Sequence, residues 1–268
     1  MKVMGRRTFL NLAGALLLCV AAASAASAQE FQKSYELGAG GTVSIQNVSG
    51  DVVLKGYDGA AVVVEGRREG RDREMVEVED LSTPGHVSLR AKYPRNCNCD
   101  ASIRFEVRVP RGANLNFDKI QTASGNLRAE GFAGHINLQT ASGDVSVRGV
   151  GGEIHAQSAS GTVRVADSTG RVNASTASGD VEVELTRLEG DGDMSFSSAS
   201  GDVRVRVPSS LDARVKMSTA SGDIETNFPI EVKSNDYGPG SRAEGQLGNG
   251  GRSLKLSTAS GNVSLKSI

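Results

Sequence analysis

A six-residue signature, Thr/Ser-Ala-Ser-Gly-Asp/Asn-Val, returns again and again along the chain, and that recurrence limits what the chain can fold into. Four copies read Thr122-Ala-Ser-Gly-Asn-Leu127, Thr140-Ala-Ser-Gly-Asp-Val145, Ser158-Ala-Ser-Gly-Thr-Val163 and Thr176-Ala-Ser-Gly-Asp-Val181. Three more run from Ser198 to Val203, Thr219 to Ile224 and Thr258 to Val263, and Asn47-Val-Ser-Gly-Asp-Val52 is an earlier, diverged copy. The first three steps are 18 residues each, followed by steps of 22, 21 and 39. Repetition at a fixed short period means stacked, nearly identical units. Eighteen residues are too few for a helical hairpin and suit one coil of two short strands and two turns.

The residues inside each step alternate as strands do. In the coil that starts at Gly143, Asp144 to Arg148 alternates, Gly149 to Gly152 turns, and Glu153 to Gln157 alternates again. A period of two sends Val145 and Val147 to one face, with Ile154 and Ala156 in the same interior. Placed in register, Val145, Val163 and Val181 form a column, as do Val147, Val165 and Val183, and Ile136, Ile154 and Val172. The fold class is therefore all-β: a β-solenoid with coils of about 18 residues and irregular end caps. A narrow core of small branched side chains also accounts for a composition with 33 Gly, no Trp and only 4% aromatic residues.

Within the signature, Gly125, Gly143, Gly161, Gly179, Gly201, Gly222 and Gly261 are read as structural turn residues in a conformation that a Cβ would penalise. The Asp or Asn that follows bonds neighbouring amides, and the preceding Ala and Ser are small enough to stack. A calcium reading is weighed and set aside, because each repeat offers one carboxylate and Thr162 replaces it in one coil. On this reading the corner is structural. Function belongs to what differs between coils: the outer columns, the charged loop and the caps. One outer column reads Arg128, Ser146, Arg164, Glu182, Arg204, and its neighbour reads Glu130, Arg148, Ala166, Glu184, Arg206. On the other sheet Gln121, Gln139, Gln157 and Ser175 line up as a candidate amide ladder.

Three segments are expected. Residues 1–28 read as an export signal: Lys2, Arg6 and Arg7 precede an apolar stretch from Phe9 to Ala23 and an Ala26-Ser27-Ala28 cleavage site. That stretch is too short to remain as a membrane span. Arg6-Arg7-Thr8-Phe9-Leu10 fits a twin-arginine signal and an ordinary secretory signal equally well, and Leu18 before Cys19 argues against a lipid anchor. Residues 29–110 read as an N-terminal β region capping the solenoid, with Arg67 to Glu74 as an exposed charged loop. Residues 111–268 read as the solenoid, interrupted by a Gly-rich loop at 233–252.

Little in the chain points to chemistry. Cys97 and Cys99 read as a possible disulfide, either a loop staple or a redox-labile pair; no third soft ligand makes a metal site. His135 falls beside Glu153 and His155 between Asn137 and Asn173 on one outer face, where they read as surface histidines. No catalytic, cofactor or metal residues are assigned, and a net charge of −1 gives no nucleic-acid footprint.

The order of these features resembles the DUF4097 family of exported bacterial proteins. It runs from an early Ser-Gly-Asp-Val through Val107-Arg-Val-Pro-Arg-Gly112 to serial Thr-Ala-Ser-Gly-Asp-Val turns and a final Ser-Gly-Asn-Val. The resemblance implies a β-helical fold and a place outside the cytoplasm, and it carries no catalytic residues. The function expected is that of a non-enzymatic, adhesin-like envelope protein, periplasmic, surface-held or secreted. Its partner would be an envelope or surface protein or a glycan. The alternatives are a sensing or accessory module of an envelope-stress system and, further off, a polysaccharide-cleaving enzyme. That last reading lacks both convergent carboxylates and aromatic platforms.

Overall fold

The structure is a computed structural model that describes residues 31–234 and 239–268, so the export signal expected over residues 1–28, with Cys19, lies outside the described residues. The N-terminal third contains β1 (Phe31–Tyr35), β2 (Thr42–Gln46), β3 (Val52–Tyr57), β4 (Val62–Glu69), β5 (Glu77–Asp80), β6 (His86–Lys92) and β7 (Ser102–Pro110). Regular coils follow as strand pairs: β8 (Leu115–Ser124) with β9 (Leu127–Glu130), β10 (Gly134–Ser142) with β11 (Val145–Arg148), and β12 (Ile154–Ser160) with β13 (Val163–Ala166). Then come β14 (Val172–Ser178) with β15 (Val181–Glu184), β16 (Met194–Ser200) with β17 (Val203–Val207), and β18 (Ala213–Ser221) with β19 (Ile224–Thr226). The chain finishes with β20 (Val232–Ser234), β21 (Ser241–Leu247), β22 (Arg252–Ser260) and β23 (Val263–Ser267).

Successive coils add one strand to each of two facing sheets, of 11 and 12 strands. Pairing along the stack is parallel and in register, with Val145 beside Val163 and Val163 beside Val181, and Ile136 beside Ile154 and Ile154 beside Val172. These columns are the core, and their side chains are fully buried. Size is traded between neighbouring coils: Phe196 stacks between Ala174 and Leu256, filling the space that the small residue leaves.

The spatial order of the coils departs from the chain order at both ends. In the 11-stranded sheet β23 lies between β17 and β19, and in the other sheet β22 lies between β16 and β18. The last coil of the chain is thus inserted beneath the one before it. At the other end β2 and β3 lie between the later strands β6 and β7 on one side and β8 and β9 on the other. Residues 42–57 are therefore a full coil of the stack rather than part of a separate cap, and the boundary expected at 110 is no structural break.

Two expected loops also need correction. Arg67, Arg68 and Glu69 continue strand β4, paired antiparallel with β7, and a short 3-10 turn at Arg73–Met75 follows. Pairing partners override the run of charge there, because a strand edge leaves its outward side chains in water. The Gly-rich stretch 233–252 contains β21, antiparallel to β18 with Ala213 opposite Leu247. Its Ser241, Ala243 and Leu247 are buried in alternation, a pattern diluted in sequence by Gly245.

Antiparallel strands close both sheets at the first end and the 12-stranded sheet at the other, a common defence of open sheet edges. At the first end Asp80, the last residue of β5, accepts bonds from Lys33 Nζ at 2.6 Å and Tyr35 OH at 3.0 Å on β1. Because β1 and β5 are the edge strands of different sheets, this cluster clamps the two sheets together. The amide of Ser82 adds a third bond at 3.0 Å. Burial alone would raise the Asp80 pKa, but Lys33, Ser82 and Tyr35 outweigh it and hold the carboxyl at about 2.

Candidate functional site

The corner between the sheets is built from three features that repeat from coil to coil. First, the seven signature glycines sit at φ between +142° and +150°, and a Cβ on any of them would come within 3.0 Å of a glycine carbonyl in the adjacent coil. Only glycine meets both demands. Second, the hydroxyl that opens each signature donates to that same carbonyl column: Thr140 Oγ1 to Gly125 O at 3.0 Å, Ser158 Oγ to Gly143 O at 2.9 Å and Thr176 Oγ1 to Gly161 O at 2.9 Å. These side chains are buried. In the diverged copy Asn47 takes the hydroxyl's place, and its Nδ2 donates to Ile103 O at 2.7 Å.

Third, the Asp or Asn after each glycine reaches the adjacent coil rather than its own turn. Its side-chain oxygen accepts from the backbone amide of its counterpart: Asn126 N to Asp51 at 2.8 Å, Asp144 N to Asn126 at 2.9 Å and Thr162 N to Asp144 at 2.8 Å. The ladder resumes with Asp202 N to Asp180 at 2.9 Å, Asn262 N to Asp202 at 2.7 Å and Asp223 N to Asn262 at 3.0 Å. Asp and Asn alternate freely because an acceptor oxygen, not a charge, does the work. One oxygen of each of these side chains is thereby committed to a backbone amide of the next coil.

Beside this corner runs the long depression of the molecule, a shallow trough of about 840 Å³ spanning six coils. One wall is the column Gln121, Gln139, Gln157, Ser175 and Ser197, the floor is the buried Thr/Ser hydroxyl column, and the far wall is the exposed alanine column from Ala123 to Ala199. Gln121 Nε2 donates to Gln139 Oε1 at 2.7 Å, but Gln139 Nε2 turns to Asn137 Oδ1 at 3.1 Å, so the expected amide ladder has one rung. The remaining amide and hydroxyl groups face the trough. Sequence reasoning placed function away from the corner and missed this trough, which runs along the edge of the 12-stranded sheet next to the corner and whose concavity has no signature in a single column of residues.

The outer face of the 11-stranded sheet carries ion pairs instead. Arg164 Nε lies 2.8 Å from Glu182, and Arg204 lies 2.8 Å from Asp180, 3.7 Å from Glu182 and also against Asp202. The hydrogen bond that Arg204 donates to Asp180 raises the Arg204 pKa. Burial works to raise that of Asp180, yet the Asp202 amide and Arg204 bring it below the ordinary carboxylate range. On the other sheet Glu153 gathers both histidines: His155 Nε2 at 3.0 Å, His135 Nδ1 at 3.3 Å and Arg171 at 3.4 Å. The hydrogen bond from His155 leads in lowering the Glu153 pKa. This carboxylate is thus engaged by two imidazoles and one guanidinium. Cys97 and Cys99 are bonded to each other and do not line the trough. Among the described residues no group of three or more His, Cys, Asp and Glu side chains is placed to hold a metal ion, and no helix is long and apolar enough to cross a membrane.

Fold and corner together define a parallel β-solenoid with capped ends. The model of the Toastrack DUF4097 family matches residues 32–266, and the chain belongs to that family. Similar solved structures include a "putative cell adhesion protein" from Clostridium sporogenes, 13% identical, with 90% of this chain and 99% of that chain covered at a TM-score of 0.39. A "putative adhesin" from Parabacteroides distasonis is 11% identical, with 90% and 97% covered and a TM-score of 0.38. Comparison with curated proteins gives no match.

Proposed function

We propose that the protein is a non-enzymatic, exported envelope scaffold that binds an envelope or surface partner along its length, in the manner of an adhesin. The trough carries this reading. It is long, open and lined by neutral amides and hydroxyls, which suits an extended polar partner better than a small substrate enclosed in a cleft. Export is supported by the basic start, apolar stretch and Ala-Ser-Ala site at the head of the chain. A scaffold rather than an enzyme is supported by the engagement of the acidic groups, since Asp144, Asp180 and Asp202 serve the corner ladder and Glu153 is engaged by His155, His135 and Arg171.

Protease shaving of intact cells, combined with capture of crosslinked partners from the envelope, tests the reading. Accessibility to protease together with a specific captured partner supports adhesion. Retention in the periplasm with a membrane partner would favour the accessory-module reading instead, and recovery of no specific partner counts against both.

A further inference from the structure

The coil formed by β22 and β23 is inserted between two coils that precede it in the chain, and both walls of the slot it fills carry the bonds of the repeated signature. On one wall Gly201 N donates to Ser260 O and Val203 N to Asn262 O, both at 2.9 Å, while Thr258 Oγ1 donates to Gly201 O at 2.8 Å. On the other, Gly261 N donates to Ser221 O and Val263 N to Asp223 O, both at 2.9 Å, while Thr219 Oγ1 donates to Gly261 O at 2.8 Å. The same bonds join sequential coils elsewhere, as in Gly125 N to Ser142 O and Leu127 N to Asp144 O. Nothing in this bonding specifies that the inserted segment be covalently continuous with the walls.

The connection that delivers the segment is short and rich in glycine. From Leu247 at the end of β21 the chain passes Gly248, Asn249, Gly250 and Gly251 to Arg252, with Gly248 and Gly250 at φ of +58° and +72°. Until residues 252–267 dock, β17 and β19 have no partner on the facing edges, and Leu254, Leu256, Val263 and Leu265 have no core to enter. Two exposed edges and a displaced strand pair of matching register are the conditions for exchange of an identical element between protomers.

We propose that this slot is a strand-acceptor site for a second copy of the chain: residues 252–268 of each copy fill the slot of the other, with Gly248 to Gly251 as hinge. Docking within one chain and docking between chains compete while the slot is empty. The outcome is set by the ratio of protein concentration to the effective concentration of the tethered segment.

The test refolds the full chain from denaturant at low and high protein concentration, followed by size-exclusion chromatography with light scattering. A tenfold rise in concentration raises the dimer-to-monomer ratio about tenfold while monomer predominates. A second arm adds Ser197→Cys and Ser257→Cys, neighbours in register across the slot, with Cys19, Cys97 and Cys99 replaced by Ser. After oxidation the exchanged dimer runs as a covalent dimer on a denaturing, non-reducing gel. Monomer at every concentration overturns the proposal, and so does a dimer whose oxidised chains separate singly. The chromatography of the unsubstituted chain decides the matter if the cysteine variant does not fold.

Discussion

Replacing Gly161 by Ala and, separately, Gly149 by Asn sets two glycines of positive φ against each other on opposite corners of the same stack. Gly149 has φ +60°, and the nearest atoms to an added Cβ are backbone atoms of Gly131 at 4.0 Å. The residue one coil further on at the same corner is Asp167, at φ +54°. That corner already accepts a polar side chain, and Gly149→Asn should cost at most about 1 kcal/mol. Gly161 has φ +147°, and its Cβ would meet the Gly143 carbonyl within 3.0 Å. Backbone strain there costs about 1–3 kcal/mol. The displaced carbonyl also weakens the bond from Ser158 Oγ, and movement of Gly161 weakens its amide bond to Ser178 O, for about 1 kcal/mol each. Gly161→Ala should therefore lose about 4 kcal/mol in all. Urea unfolding followed by circular dichroism measures both. Equal losses for the two variants, or a smaller one for Gly161→Ala, would refute the idea that the signature glycines are selected by contact between coils.

Other expectations follow from the same bonds. Asp202→Ala removes the acceptor for the Asn262 amide and should lose about 1 kcal/mol. Asp202→Asn keeps the acceptor and should stay within about 0.5 kcal/mol of the parent in the same urea titration. The Asp80 clamp should show in the pH dependence of stability. Its folded pKa of about 2 lies below the unfolded value. Its contribution, about 2 kcal/mol, is thus complete above roughly pH 5 and disappears as pH falls towards 2. Asp80→Asn should accordingly be less stable than the parent at neutral pH and match it in strong acid; a gap that persists in acid would refute the assignment. Replacing Cys97 and Cys99 by Ser opens a very small loop and should cost at most about 2 kcal/mol in thermal unfolding.

Much of this fold is legible in the sequence because the repeat supplies its own alignment. The valine columns, the glycine corners and the two-strand coil all follow from the 18-residue step with strand alternation. What escaped reading lies where one segment depends on a distant one. Thr219 and Thr258 carry the same signature, so nothing local tells which coil stacks next to Ser198. Ser241 to Leu247 alternates weakly, and its role appears only when β18 offers an edge. The opening Thr or Ser of the signature carries no role readable from the sequence, although its hydroxyl closes each corner. Burial of a Thr at a strand end signals that bond only once the facing carbonyl is known. The trough was illegible for a geometric reason, since it is the combined shape of three adjacent columns of one sheet.

The most direct test of the proposed function is retention of the purified protein on isolated cell envelopes, compared between two sets of variants. Ala141→Arg, Ala159→Arg and Ala177→Arg together fill the trough from exposed positions and leave the core columns untouched. Ser146→Arg and Ser264→Arg alter the outer face of the other sheet. The trough triple should lose retention while the two opposite-face variants keep it, all five substitutions leaving the circular dichroism spectrum unchanged. Equal retention by both sets would contradict the assignment of binding to the trough.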